Sequence, residues 1–205
     1  MGIQKYLNEI EGLFKKSPVV DAGSIARITK SKKQIKQYHK KLICNLISQG
    51  KIKRLFKGYY TQHDDPSLAV FCFSPAYLGL QDALSFHNLW EQETIPVIIT
   101  ARKARQGVRK VMGMNVLVRR IEKKYLFGFD YYKHDDFYLP YSDIEKTFID
   151  LIYFKEKTSR ELIKEIIKKI NMEKLKSYLK SYPKKIRKRV LLVFTSDPAK
   201  LPKNI

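Results

Sequence analysis

Hydrophobic residues in the first 50 positions recur with the period of amphipathic helices. A spacing of i, i+3, i+4 and i+7 predicts a first helix from the apolar residues Ile3, Tyr6, Leu7, Ile10, Leu13 and Phe14. A short second helix is predicted over residues 22–28. A third is predicted in the stretch SKKQIKQYHKKLICNLIS, because Ser31 and Gln34 have the spacing of a capping box and Gly50 is a typical residue just past a helix end.

After Gly50 the pattern changes to that of a β-hairpin. KIKRLF predicts the first strand, KG the turn and YYTQ the return strand. Strict alternation places Ile52 and Arg54 on one side of the first strand, and Lys51, Lys53 and Leu55 on the other. Three helices followed by a hairpin predict a winged helix-turn-helix domain.

Residues 63–67, HDDPS, form a polar segment that we interpret as a domain boundary. The stretch PSLAVFCFSPAYLGLQDALSFHNLW predicts two short helices divided at Ser74-Pro75, and IPVIITAR and MNVLVRRI predict strands. YLFGFDYY and DFYLPYS are interpreted as shorter strands or loops, and from Ser142, the predicted N-cap of the next helix, the period is helical. The predicted class is therefore α+β, with a winged helix over 1–62 and a second domain over 66–205, mixed α/β over 66–141 and helical over 142–205.

Charge changes this picture most. The chain carries 41 Lys and Arg against 20 Asp and Glu, a net charge of +21. Residues 1–62 hold 14 basic and 3 acidic side chains, residues 63–141 hold 10 and 9, and residues 142–205 hold 17 and 8. An excess of this size favours a polyanionic partner, although a merely well-solvated lysine-rich surface is the alternative.

A basic helix followed by a basic hairpin indicates double-stranded DNA. In a winged helix the third helix enters the major groove, where side chains contact base edges, while the wing lies against phosphates. The predicted DNA-binding residues are Ser31, Lys32, Lys33, Lys36, Gln37, Lys40, Lys51, Lys53, Arg54, Lys57 and Tyr59.

A second basic segment lies in the middle of the chain. Its members are Arg102, Lys103, Arg105, Arg109, Lys110, Arg119 and Arg120. The functional interpretation is a second surface for DNA backbone, for RNA or for a protein partner. The alternative is a solvated hairpin without a partner, and the sequence favours neither.

Two sets of residues raise an enzymatic alternative. The triplets His63-Asp64-Asp65 and His134-Asp135-Asp136 are of metal-ligand type, but adjacent loop residues seldom converge on one ion. Glu122-x-Lys124 after a strand is similar to the E-x-K arm of metal-dependent nucleases, which also needs an Asp beside the Glu; Asp82 is the nearby choice. We predict no enzyme, no metal and no cofactor, and keep a nuclease as the minor alternative.

The two cysteines, Cys44 and Cys72, have neither a disulfide framework nor a metal-binding spacing, which indicates a reducing, cytoplasmic setting. The chain has no run of 18 apolar residues, and its start lacks the pattern of a signal peptide. We therefore expect neither a membrane span nor secretion.

Three stretches, in order, resemble the AbiEi-type antitoxins, the transcriptional regulators of type IV toxin–antitoxin systems. They are LISQGKIKRLFKGYY, then SPAYLGLQDALSFHNL followed by VIITARKAR, and then YSDIEKTFIDLIYF. The resemblance covers most of residues 18–155, and the lysine-rich end after residue 160 departs from the family pattern.

This resemblance implies a protein with two functions and no catalysis. Its winged helix would repress its own operon at inverted repeats, and the domain over 66–205 would counter a nucleotidyltransferase-like toxin, with that toxin or its RNA target as a further partner. The alternatives are a stand-alone winged-helix repressor and a toxin-binding module with no DNA role.

Overall fold

The computed structural model describes residues 4–29 and 38–195 of the chain. Within these ranges eight α-helices and nine β-strands form an α+β protein, the class that the sequence predicts. The strands are divided between a three-stranded sheet near the N-terminus and a six-stranded sheet in the rest of the chain.

The N-terminal part has the arrangement of a winged helix. Its elements are α1 (Gln4–Lys16), β1 (Val19–Asp21), α2 (Ala22–Thr29), α3 (Tyr38–Ser48), β2 (Lys53–Phe56) and β3 (Tyr59–Thr61). The strands pair antiparallel in the order β1-β3-β2, and β2 and β3 form the wing. Strand β1 is absent from the sequence-based prediction, because three residues ahead of a helix are too few to show an alternation.

The end of α3 follows the prediction. Gly50 has φ +68°, the left-handed conformation that costs glycine little. Its amide donates to the carbonyl of Ile47 at 2.9 Å, and the amide of Lys51 donates to that of Leu46 at 3.0 Å, so two terminal carbonyls are satisfied. The predicted capping residues Ser31 and Gln34 lie outside the described residues.

The wing strand is covered on both sides. Ile52 packs with the helices of the N-terminal core, whereas Leu55 packs into the core of the second part, and both are buried. These two residues do lie on opposite sides, as strict alternation predicts. The register shifts between Arg54 and Phe56, so that the exposed Arg54 is followed directly by the buried Leu55.

The second part begins with a 3-10 helix at Pro66–Phe73, which the side chain of Asp65 caps. The elements that follow are β4 (Ala76–Leu78), α4 (Leu80–Phe86), β5 (Val97–Thr100), β6 (Gly107–Val111), β7 (Met114–Arg120), a 3-10 turn (Lys123–Tyr125), β8 (Phe129–His134) and β9 (Phe137–Ser142). The sheet order is β6-β7-β5-β4-β9-β8, with β4 parallel to β9 and β5 parallel to β7. The prediction of two helices around Ser74-Pro75 is wrong in part, since Ala76–Leu78 is a central strand in which all three residues are buried.

Four helices complete the described chain: α5 (Ile144–Phe154), α6 (Arg160–Lys169), α7 (Met172–Leu179) and α8 (Lys184–Thr195). The N-cap of α5 is Asp143, whose carboxylate accepts from the amide of Lys146 at 2.7 Å. The predicted cap, Ser142, is instead the last residue of β9, and its hydroxyl contacts that of Thr147. The helical period from this point on is confirmed.

The six-stranded sheet separates two hydrophobic cores. One face packs against α4 and the C-terminal helices, around residues such as Tyr77, Ile99 and Phe148. The other face packs against the 3-10 helix Pro66–Phe73, and it also receives Leu55 together with the partly buried Phe56 of the wing. The wing therefore contributes to the cores of both parts, and the predicted boundary near residues 63–67 stays a prediction.

Candidate nucleic-acid interface

Five of the six DNA-binding residues predicted on the third helix lie outside the described part of the chain. They are Ser31, Lys32, Lys33, Lys36 and Gln37. Lys40 is exposed on α3, on the side opposite the buried Leu42 and Leu46 that hold the helix on the N-terminal core.

The predicted wing residues differ in their surroundings. Lys51, Arg54 and Lys57 are exposed, and Lys57 lies in the turn beside Gly58, whose φ of +83° lets the hairpin reverse. Tyr59 is half-buried in β3, opposite Asp21 and Phe56, so its ring belongs to the packing of the hairpin.

Lys53 has an acidic partner. Its ammonium group contacts the carboxylate of Asp64, and the two side chains are 40% and 77% exposed. An ion pair this open to water is weak, because solvent screens it. It still places a negative charge beside the wing.

An arginine fixes the wing to the six-stranded sheet. The guanidinium of Arg109, on β6, lies 5.7 Å from the ring centre of Phe56 and 5.8 Å from that of Phe73. The two rings themselves meet edge to face at 5.3 Å. Arg109 also donates to the carbonyl of Arg105 at 2.6 Å, so β6 and the loop before it are held against the wing.

The seven residues of the second basic segment do not share one surface. Arg109 pairs with Val116 across the β6–β7 hairpin, and alternation along β7 puts Val116, Val118 and Arg120 on the wing side of the sheet. Lys110 lies on the opposite face.

The remaining members divide in the same way. Arg119 is on the face of the C-terminal helices, where it pairs with Glu156 at 2.7 Å. Arg102 donates to the carbonyl of Cys72, in the 3-10 helix, at 3.0 Å, and is thus held on the wing side. Lys103 and Arg105 are exposed in the loop before β6.

The structure separates the residues on which the nuclease alternative depends. Asp82 is buried, and its carboxylate accepts from the amide of Val97, the first residue of β5, at 3.2 Å. Glu122 lies near the opposite end of β5. The residue before it, Ile121, donates its amide to the carbonyl of Thr100, the last residue of β5. Glu122 is exposed and pairs with Lys124 at 2.9 Å.

The two HDD triplets lie near each other without forming a ligand cage. His134 approaches the carboxylate of Asp65 at 3.3 Å. Among residues 4–29 and 38–195, no group of three or more His, Cys, Asp or Glu side chains has the arrangement of a metal site.

One buried polar cluster is missing from the sequence-based prediction. Lys146 and Asp150 on α5 are fully buried with Tyr77, and Tyr182 is nearly so. The hydroxyl of Tyr77 donates to Asp150 at 2.6 Å, and Lys146 donates to the hydroxyl of Tyr182 at 2.9 Å. The signal in the sequence is a Lys and an Asp four residues apart in the largely apolar stretch IEKTFIDLIYF.

The fold has a counterpart among solved structures. It is similar to the crystal structure of the RV2827C protein from Mycobacterium tuberculosis, with a TM-score of 0.58 and 14% sequence identity, over 95% of this chain and 78% of that chain. At this identity the likeness shows the fold alone. No family model matches the chain, and neither does any curated protein sequence. In the described part of the chain, no helix has both the length and the apolar character needed to cross a bilayer.

Proposed function

We propose that this protein is a DNA-binding transcriptional regulator whose winged helix contacts duplex DNA. The observation that carries the proposal is the charge of this winged helix: between Asp21 and Asp64 the chain has 11 Lys and Arg and no acidic residue. The described members Lys40, Lys51, Arg54 and Lys57 are exposed. A one-signed surface on α3 and the wing suits the regular negative charge of the phosphate backbone.

We further propose that the protein acts in the cytoplasm as the antitoxin of a type IV toxin–antitoxin system and represses its own operon at inverted repeats. The support is the resemblance of its three ordered stretches to AbiEi-type antitoxins. The partner would be a nucleotidyltransferase-like toxin or the RNA on which that toxin acts. We propose no catalytic role, since Asp82 and Glu122 lie near opposite ends of β5.

A stand-alone repressor is the second candidate function. It requires the same DNA surface and no toxin, and it is supported by the lysine-rich end after residue 160, which departs from the family pattern. A neighbouring reading frame that encodes a nucleotidyltransferase favours the antitoxin, and a neighbour of unrelated class favours the repressor alone.

The DNA-binding proposal is tested by titration of duplex DNA at several salt concentrations. If α3 and the wing neutralise about five phosphates, the logarithm of the affinity falls against the logarithm of salt with a slope of about −4 to −5. Lys53→Glu with Lys57→Glu should weaken binding to random and operator duplexes alike, because phosphate contacts carry no sequence information. A nearly flat slope for the wild-type protein would refute this binding mode.

A further inference from the structure

We infer that the DNA surface does not end at the wing but continues onto the six-stranded sheet, where Arg105 and Arg120 contact duplex phosphates beyond those that the wing reaches. This inference rests on the proposed DNA-binding function. It assigns two members of the second basic segment to the same ligand as the wing. The other five members are not assigned to phosphate contacts.

The first argument is a chain of direct contacts. Arg109 lies against Phe56 of the wing, and its guanidinium donates to the carbonyl of Arg105 at 2.6 Å. The backbone amide of Arg120 donates to the side-chain carbonyl of Gln106, the residue after Arg105, at 3.0 Å. The two exposed arginines therefore lie at the same end of the β6–β7 hairpin and are joined to the wing through Gln106 and Arg109.

The second argument is charge. From Arg102 to Arg120 the chain contains seven Lys and Arg and no Asp or Glu. Arg105 and Arg120 are exposed, and neither forms an ion pair with an acidic side chain in residues 4–29 and 38–195. Arg119, by contrast, is neutralised by Glu156 on the other face. Guanidinium groups bind phosphate oxygens in a bidentate manner, and a flexible lysine does not reproduce that geometry.

The third argument is rigidity. Leu55 is buried in the core of the second part, and Phe56 packs on Phe73. Because the wing strand belongs to that core, a duplex bound to the wing keeps a fixed position relative to β6. The added arginines would therefore extend the contact along the DNA backbone.

The test compares two variants with equal loss of charge on a random-sequence duplex of about three helical turns, roughly 30 base pairs. The first is Arg105→Gln with Arg120→Gln. The control is Lys110→Gln with Lys176→Gln, because Lys110 is on the opposite face of the sheet and Lys176 is on α7, which packs against that face. All four side chains are exposed, and thermal unfolding checks that both variants fold.

We expect the arginine variant to flatten the salt slope by about 1 to 2, since each lost phosphate contact removes about 0.9. The control should keep the wild-type slope. Equal slopes for the two variants would overturn the extension while leaving the wing in place, provided that Lys53→Glu with Lys57→Glu still weakens binding. The extension would also be overturned if the arginine variant lost affinity for an RNA duplex but kept its affinity for the DNA duplex. Absence of any binding of the wild-type protein to DNA would refute both proposals.

Discussion

Lys146 and Asp150 form an ion pair one turn apart on α5, and neither side chain is exposed to solvent. The ammonium group also lies 5.4 to 5.7 Å from the ring centres of Tyr77, Phe127 and Tyr182. Burial raises the pKa of Asp150 and lowers that of Lys146, whereas their mutual attraction opposes both shifts. The pair joins α5 to β4 and to the segment before α8, because Tyr77 and Tyr182 supply the remaining hydrogen bonds.

The first prediction concerns this pair. Asp150→Ala leaves a buried lysine without its counter-charge, and we expect the free energy of unfolding to fall by about 3–5 kcal/mol. Lys146→Met with Asp150→Leu removes both charges and keeps apolar volume, so it should be much less destabilised than the single variant. Urea unfolding of both variants and of the wild-type protein measures this. A double variant as unstable as the single one would show that the pair itself, rather than the avoidance of a lone charge, stabilises the core.

The second prediction is a pH dependence centred on Asp82. Burial raises the pKa of this carboxyl to about 7, although the hydrogen bond from the amide of Val97 lowers it and the charge of Asp65 raises it further. An ordinary unfolded carboxyl has a pKa of about 3.9, so the folded state holds the proton more tightly. The contribution of Asp82 to stability is therefore present below pH 4 and is lost as the pH rises through about 7.

Asp82→Asn removes this titration and keeps an oxygen that can accept from Val97. The variant should match the wild-type protein near pH 4 and exceed its free energy of unfolding at pH 8 by up to about 4 kcal/mol, since one pKa unit corresponds to about 1.4 kcal/mol. Urea unfolding across this pH range gives the difference between the two proteins. A difference that does not change with pH would contradict the assignment.

The third prediction concerns the ion pair of the wing. Asp64→Asn removes the acidic neighbour of Lys53 and makes that ammonium group available to phosphates. We expect random-duplex affinity to rise by up to about fivefold, in line with the ~1 kcal/mol upper range of exposed ion pairs. Asp130→Asn is the matched control, because Asp130 is exposed on β8 and loses the same charge far from the wing. An equal gain in both variants would mean that only net charge matters.

Local sequence patterns were sufficient for the end of the third helix and for the wing, but they missed the three residues of β1. The helical period and Gly50 predicted where α3 ends. Alternation predicted that Ile52 and Leu55 lie on opposite sides of the wing strand. The pattern could not show that a second core covers Leu55, since that core is built from residues distant in the chain. For the same reason, the sequence analysis treated the seven basic residues of the middle segment as one group. The register of β6 and β7 places Arg120 and Lys110 on different faces of the sheet.

The buried polar residues show the same limit more clearly. Lys146 and Asp150 have the spacing of an ordinary exposed ion pair on a helix. Only the packing of Tyr77 from β4 and of Tyr182 from the segment before α8 reveals that the pair is buried. Similarly, Asp82 is an unremarkable helix residue in sequence, and its raised pKa depends on burial by the sheet.

The last prediction separates DNA binding from the proposed antitoxin role. Lys33, Lys36 and Gln37 lie outside the described residues, and Lys40 is exposed on α3. Replacing all four with Ala should preserve the helix, because Ala has the highest helix propensity. Gln37 is the candidate for a bidentate contact to adenine, and each such base contact contributes about 1–3 kcal/mol of discrimination. We therefore expect the variant to lose operator binding and repression.

Protection against a co-expressed toxin should survive in that variant if it resides in residues 66–205. The measurement is cell survival with the toxin at matched protein levels, with circular dichroism to verify the fold. Lys164→Ala with Lys176→Ala and Lys180→Ala removes three charges from exposed positions of the C-terminal helices, and it should leave repression intact. Complete loss of protection in the folded quadruple variant would place the antitoxin activity in the winged helix, because that variant changes no residue beyond position 40.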